Sequence, residues 1–217
     1  MAQPVLGNTP ISSIRETDDG VIVSSGENSW TFENVIVSSG GWSQRLMPDY
    51  LKAHTEARRI FLTWFVACDT VQFTPESFPV FSRIYEGRSM YGAPAVDGVT
   101  VKATLDDRGA ATPNPDGIPR ELSIAEITET IETVSEFFPG LIPTIVRSDA
   151  FPDLYTRDRN PLLGWLTESS RIYCATGFSG GGFKNATGYG LIAARETLGK
   201  QSLEGLDFVR PLRFKTS

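Results

Sequence analysis

Histidine is almost missing from this chain of 217 residues; His54 is the single one. A histidine-based zinc site or a Ser-His-Asp triad therefore has little to draw on. His54 lies in the polar segment "LKAHTEARR" and is expected at the surface. Cysteine is nearly as scarce. Cys68 and Cys174 supply neither a disulfide framework nor metal-ligand spacing. Both fall in apolar, strand-like runs, where buried free thiols are expected. A surplus of positive charge is lacking too. Lys and Arg number 20 against 26 Asp and Glu, a net charge of −6, which argues against binding nucleic acid through a basic surface. No run of about eighteen apolar residues occurs, so no membrane-spanning helix is expected. The opening "MAQPVLGNTP" has no basic patch followed by an apolar stretch, the pattern of a secretory signal. A soluble, cytoplasmic protein without nucleic-acid or membrane partners is the expectation.

What is present suits a globular core. Hydrophobic residues make up 40% and charged residues 21%, and the length allows one large or two small domains. Residues 11–37 read as a β-meander, with β-branched runs broken at "DDG" and "GEN". Its last run, Val35-Ile36-Val37, is wholly apolar and stops at Ser38-Ser39-Gly40-Gly41. A buried strand ending at a glycine turn is a common resting place for a nucleotide. "RRIFLTWFVAC" (58–68) is too β-branched and aromatic for a helix. "PVFSRIYEG" and "RSMYGAPAV" predict a hairpin around Glu86 and Gly87, with "GVTVKATL" pairing next.

The clearest helix begins at Ser123. Ser123 and Glu126 form a capping-box pattern. Ile124, Ile127, Ile131, Val134 and Phe138 recur at helical spacing, and Pro139-Gly140 stops the run. Packing through Ile127, Ile131 and Val134 is expected. A further strand (144–151), a loop rich in Asp, Arg and Pro, and the strand "RIYCATG" follow. "YGLIAARETLG" then reads as a helix with Gly199 at its end. The order predicts an α+β fold: a mixed, largely antiparallel sheet with helices on one face.

One stretch stands apart. "CATGFSGGGFKNATGYG" (174–190) crowds glycine around a single cation, Lys184, just ahead of the helix. Glycine permits positive φ and close approach of backbone to a ligand. N–H groups at a helix start attract anions.

Four blocks together resemble the FAD-dependent amine oxidases of the D-amino-acid oxidase superfamily, in particular the branch of sarcosine and N-methyl-amino-acid oxidases. They are "NVIVSSGGWSQRL", "FPVFSRIYEGRSMYGAP" through "VTVK", "DLYTRDRNPLLG" and "GFSGGGFKNATGYG", in the family's order. The family opens with a strand and a GxGxxG loop for the ADP part of FAD. Here only "GYGLIA" (188–193) fits G-x-G-x-x-A formally, inside a helical pattern. The resemblance therefore implies the C-terminal part of such an oxidase: a substrate domain with remnants of the FAD-binding domain. Residues 1–45 would hold the meander and last strand of that FAD domain. Residues 46–150 would bind substrate, and 151–217 would return to the flavin.

The resemblance also assigns residues. Lys102 falls on the family's lysine beside the flavin, implicated in oxygen reduction. Lys184 matches the lysine that holds the substrate carboxylate, and Tyr91 a tyrosine lining the substrate cavity. Gly177, Phe178, Ser179 and Gly180 match backbone lying against the flavin ring, and Gly40 and Gly41 the turn near its adenine side. The implied reaction passes a hydride from a C–N bond of a secondary amine or amino acid to FAD, then electrons to O₂ to give H₂O₂. Three positions depart from the pattern. Asp153 stands where many relatives carry the cysteine that tethers flavin, which implies non-covalent FAD. Asp106 and Gly181 replace two histidines of the sarcosine oxidases, which argues against sarcosine itself as substrate. Without the GxGxxG segment the chain alone is expected to be inactive. The alternatives are a non-catalytic fragment, one half of a split enzyme whose FAD-binding half is another polypeptide, or a dehydrogenase of the same family.

Overall fold

The computed structural model describes residues 4–106, 111–112 and 114–215. The chain forms two compact units. One comprises Met1–Ala57 with Asp153–Ser217, the other Arg58–Pro152.

The first unit opens with an antiparallel meander of β1 (Ser13–Thr17), β2 (Gly20–Ser25) and β3 (Asn28–Phe32). The two-residue loops lie where the Asp-Gly and Gly-Glu-Asn signals predicted them. A second sheet holds β4 (Val35–Val37), β10 (Leu162–Trp165) and β11 (Ile172–Thr176) in the order β10-β11-β4. β11 runs antiparallel to β10 and parallel to β4, with Cys174 opposite Val37. Every residue of β11 is buried. β4 is less buried than its apolar sequence suggested. Val37 is buried, but Ile36 is 45% exposed, because β4 is an edge strand paired on one side only. β10 lies in the stretch that read as a loop; "LLGW" is short and sits between polar turns. Helix α1 spans Asp49–Lys52 and α3 spans Ala186–Thr197. Val37, Leu51, Leu154, Leu162 and Cys174 share one core of this unit, and Leu163, Tyr173 and Ala193 another.

The second unit is built on a five-stranded sheet, ordered β6-β7-β8-β5-β9. β5 is Thr55–Ala67, β6 Phe81–Tyr85, β7 Arg88–Ala93, β8 Thr100–Leu105 and β9 Leu141–Thr156. β6–β7, β7–β8 and β8–β5 pair antiparallel. The predicted hairpin turns at Glu86 and Gly87, with φ of 49° and 78°, the left-handed pair that matches strand twist. Helix α2 (Ile124–Phe137) has the full capping box between Ser123 and Glu126. Its buried stripe is Thr130, Thr133, Val134 and Phe137, an i, i+3, i+4, i+7 set. This corrects the isoleucine face. Ile131 packs at the margin of the core, but Ile127 is 36% and Ile124 84% exposed; both stand in the first turn of α2, ahead of the first buried residue, Thr130.

Two further expectations need correction. Cys174 is buried, but Cys68 is exposed. From Phe61 to Ala67 the odd-numbered residues of β5 are buried and the even-numbered ones half-buried, so Cys68 continues the uncovered parity. His54 is half-buried rather than on the surface. Its ring stacks on Phe214 at 4.5 Å and 7°. Among the described residues, no helix is long and apolar enough to cross a membrane.

Candidate functional site

In the first unit the two glycine turns meet. β4 ends at Val37 and leads to Gly40 (φ 53°) and Gly41, the start of a 3-10 helix over Gly40–Leu46. β11 ends at Thr176 and leads to Gly177 (φ 62°). Because β4 and β11 are parallel neighbours, both turns lie off carboxyl ends of strands. That is where open α/β sheets place ligands. Buried hydroxyls join them: Ser43 Oγ and Thr176 Oγ1 are 2.8 Å apart, and Ser39 Oγ is 3.0 Å from Ser43 Oγ. A Cβ at Gly40 would meet nothing within 4 Å, so its left-handed backbone rather than crowding requires glycine there.

The turn after β11 is tied to the end of β9. Ser179 (φ 50°) donates its N–H to the Leu154 carbonyl at 3.1 Å, and its Oγ accepts the Thr156 N–H at 3.1 Å. Gly180 (φ 85°) donates its N–H to Asp153 Oδ2 at 2.8 Å. Gly181 N–H closes onto the Phe178 carbonyl at 2.8 Å. Phe178 stacks on Tyr189 of α3 at 4.9 Å and 4°. Lys184 follows in a short 3-10 helix, Phe183–Asn185, and is exposed, with no ion-pair partner among the described residues. The first turn of α3 has no acidic residue and no side-chain cap, so its N–H groups leave a positive end.

In the second unit, Lys102 sits mid-strand on β8, opposite Trp64 of β5 and Ala93 of β7. Its ammonium lies 4.8 Å from the centroid of the Tyr91 ring, a cation–π contact. Tyr91 stands on β7 between Ser82 and Thr104. Lys102 is half-buried with no acidic partner among the described residues, and burial pulls its pKa below the usual lysine value. The Arg147 guanidinium lies 4.4 Å from the Trp64 ring. Asp106, at the end of β8, is exposed.

The structure thus brings Gly40 and Gly41 together with residues 177–180 in one unit, and Lys102 together with Tyr91 in the other. Sequence reasoning missed the Ser43–Thr176 link and the grip of Asp153 on Gly180. An acid heading a block that faces a glycine-rich run was the available sign of the second. The N–H groups of Ser179, Gly180 and Gly181 are taken by protein acceptors, so what the glycine turns could offer a planar flavin is close-lying backbone without a Cβ at the glycines. Among the described residues, no cluster of three or more metal-ligating side chains occurs.

The chain is similar to several known proteins. The chain is 28% identical over 180 residues to the monomeric sarcosine oxidase of Streptomyces avermitilis, covering 81% of this chain and 47% of that protein. It is 28% identical over 211 residues to the N-methyl-L-tryptophan oxidase of Salmonella dublin, covering 96% and 55%. Among solved structures, NikD, an amino acid oxidase of nikkomycin biosynthesis, superposes with a TM-score of 0.74 at 15% identity, over 93% of this chain and 53% of that one. L-proline dehydrogenase from P. horikoshii gives 0.74 at 18% identity, over 96% and 54%. The chain spans about half the length of the curated relatives it matches. These two superpositions, at low identity, show the fold alone: an α+β arrangement shared with an amino acid oxidase and a dehydrogenase. The FAD dependent oxidoreductase (DAO) family matches residues 4–196, and the chain belongs to that family.

Proposed function

We propose that this chain carries the flavin-ring and substrate side of an FAD-dependent oxidoreductase that acts on the C–N bond of a secondary amine or amino acid. The observation that carries the reading is the meeting of the two glycine turns at the carboxyl ends of parallel β4 and β11. The bound flavin would supply the hydride acceptor and the electrons for O₂. Gly40, Gly41 and residues 177–180 would hold it through backbone, and non-covalently, since Asp153 stands where the resemblance places the tethering cysteine and Cys174 beside the turn is buried, its thiol pushed up to about 12.

The cations divide the remaining work. Lys184, exposed beside the uncapped start of α3, would pair with a substrate carboxylate as a compact point charge. Lys102, half-buried with no acidic partner among the described residues, would gain from a negative charge developing on O₂. Tyr91 holds the Lys102 ammonium over its ring and would line the substrate cavity. Residues 1–45 and 151–217 would serve the flavin, and 46–150 the substrate.

The free edge of β4, with Ile36 exposed, favours a second reading. The chain would be one half of a site completed by a polypeptide that binds the ADP part of FAD. A dehydrogenase that passes electrons elsewhere than to O₂ remains the nearer variant, since L-proline dehydrogenase shares the fold.

A visible spectrum and an FAD titration test the proposal. The chain alone should be colourless and bind FAD weakly, because the pyrophosphate normally rests on a glycine loop and helix start. Supplied with such a segment, in cis or in trans, it should take up flavin near one to one. Sub-micromolar affinity of the chain alone would overturn the incomplete-site reading. No uptake in either form would favour a non-catalytic role.

A further inference from the structure

We propose that Asp153 is the positioning residue of the glycine turn: its carboxylate holds the Gly180 N–H and so keeps residues 177–180 in the conformation that receives a planar ligand. The proposal rests on the flavin reading above for the identity of that ligand, and on the geometry alone for the tether.

The turn needs holding. Gly177, Ser179 and Gly180 all have left-handed φ, at 62°, 50° and 85°. Ser179 is not a glycine, and such a backbone persists only where surrounding contacts over-determine it. Contacts from the end of β9 do so: three involve backbone groups, and the Thr156 and Ser179 hydroxyls also lie 3.3 Å apart. The Leu154 carbonyl accepts from Ser179 N–H, the Ser179 hydroxyl accepts from Thr156 N–H, and Asp153 Oδ2 accepts from Gly180 N–H. Asp153 supplies the only side chain of β9 among these backbone contacts, and it is charged. A carboxylate accepting an N–H makes roughly twice the bond of a neutral acceptor. Its other oxygen, Oδ1, accepts the Leu154 N–H at 2.8 Å, which fixes the carboxylate's own orientation.

Asp153 is also a costly residue to place here. It is half-buried, and no ion pair to it occurs among the described residues. Burial pushes its carboxyl above the usual aspartate range, against the pull of the Gly180 and Leu154 N–H groups. Among the described residues, titratable groups near the turn that Asp153 holds include Tyr155, whose hydroxyl would stand 3.4 Å from a Cβ on Gly180, as well as Arg159 and Lys184. The Arg159 guanidinium lies 5.9 Å from the Tyr155 ring. Lys184 Cε would stand 3.8 Å from a Cβ on Gly181. None of the three contributes to the shift. A structural acid facing only its own turn would be better replaced by a neutral acceptor. A charge retained at such a cost fits a turn that must be ordered before its ligand arrives, since pre-ordering removes entropy that binding would otherwise lose.

Amide hydrogen exchange by NMR on the parent chain, Asp153→Asn and Asp153→Ala tests this. Asparagine keeps the size but offers one acceptor oxygen for two N–H groups. The expected result is Gly180 exchange at least about tenfold faster in both variants, as loss of a bond worth about 1.4 kcal/mol requires, with Tyr173 and Cys174 of β11 unchanged. In the parent, the Gly180 amide shift should follow one titration above the ordinary aspartate range, and that titration should vanish in Asp153→Asn. Gly180 exchange at the parent rate in Asp153→Asn, or acceleration spread equally over β11, would overturn the tether. A Gly180 shift that stays flat in the parent would also overturn it. If the exchange result holds while no form of the protein takes up FAD, the tether stands and the flavin reading falls.

Discussion

The hydroxyls of Ser43 and Thr176, 133 residues apart in sequence, lie 2.8 Å from each other in the interior of the first unit. Through them the turn after β4 and the turn after β11 behave as one structure. Both residues are fully buried, so removing one leaves the other with its weaker or more exposed partner only, Ser39 Oγ at 3.0 Å for Ser43 and the Gly40 carbonyl at 3.5 Å for Thr176. Ser43→Ala or Thr176→Val should each cost about 1–3 kcal/mol, and the double variant less than the sum of the two. Urea unfolding of the four proteins measures this. Strict additivity would mean that the pair does not couple the turns.

A second buried hydroxyl points the other way. Thr130 of α2 is fully buried and its Oγ1 has no hydrogen-bond partner among the described residues. The residue lies in the buried stripe of α2, where its oxygen pays a desolvation cost. Thr130→Val keeps the shape and removes the orphan oxygen. It should raise stability by about 1 kcal/mol, read as a higher denaturant midpoint at unchanged slope. A lower midpoint would mean the hydroxyl is satisfied.

The acid limb of stability has a definite origin. The Glu196 side chain is only 6% exposed. Burial alone would raise its pKa, but the Arg210 guanidinium and the Ser202 and Tyr173 hydroxyls outweigh that and hold it below the usual value. A depressed carboxylate contributes stability that is complete above the unfolded value, about 4.3, and is lost as pH falls through the folded one. Glu196→Gln should therefore cost about 1.5–3 kcal/mol at neutral pH and flatten the pH dependence below about pH 4. Asp153, shifted upward, acts with the opposite sign, so Asp153→Asn should steepen the same limb. Unfolding curves from neutral pH to about pH 3 test both signs, and parallel curves for parent and Glu196→Gln would refute the first.

How much of this was legible in the sequence depended on how local the signal was. The Glu86-Gly87 turn and the Ser123–Glu126 capping box involve residues at most a few positions apart, and both formed as read. The α2 stripe was misread because threonine buries its methyl while counting as polar. Cys68 was misread because its strand has one covered face, and parity, not hydrophobicity, decided exposure. β10 was missed because four residues carry too little pattern to be seen without β11 beside them. For the candidate site, the glycine turns were visible as composition. Their meeting through Ser43 and Thr176, and the hold of Asp153, required the parallel pairing of β4 with β11 and the return of β9, which no local pattern encodes.

The central claim is that Lys102 and Lys184 serve different halves of one flavin reaction. Stopped-flow kinetics of flavin reduction and of reoxidation by O₂ tests it most directly, in protein supplied with an FAD-binding segment in cis or in trans. Lys184→Met should slow reduction by an amino-acid substrate roughly ten- to a hundred-fold, as loss of a charge-assisted contact requires, and leave reoxidation near the parent rate. Lys102→Met should leave reduction largely intact and slow reoxidation about 100- to 1,000-fold, as loss of a fixed charge at a developing anion does. If Lys102→Met reoxidises at the parent rate, the oxygen-side assignment is wrong and the dehydrogenase reading takes its place.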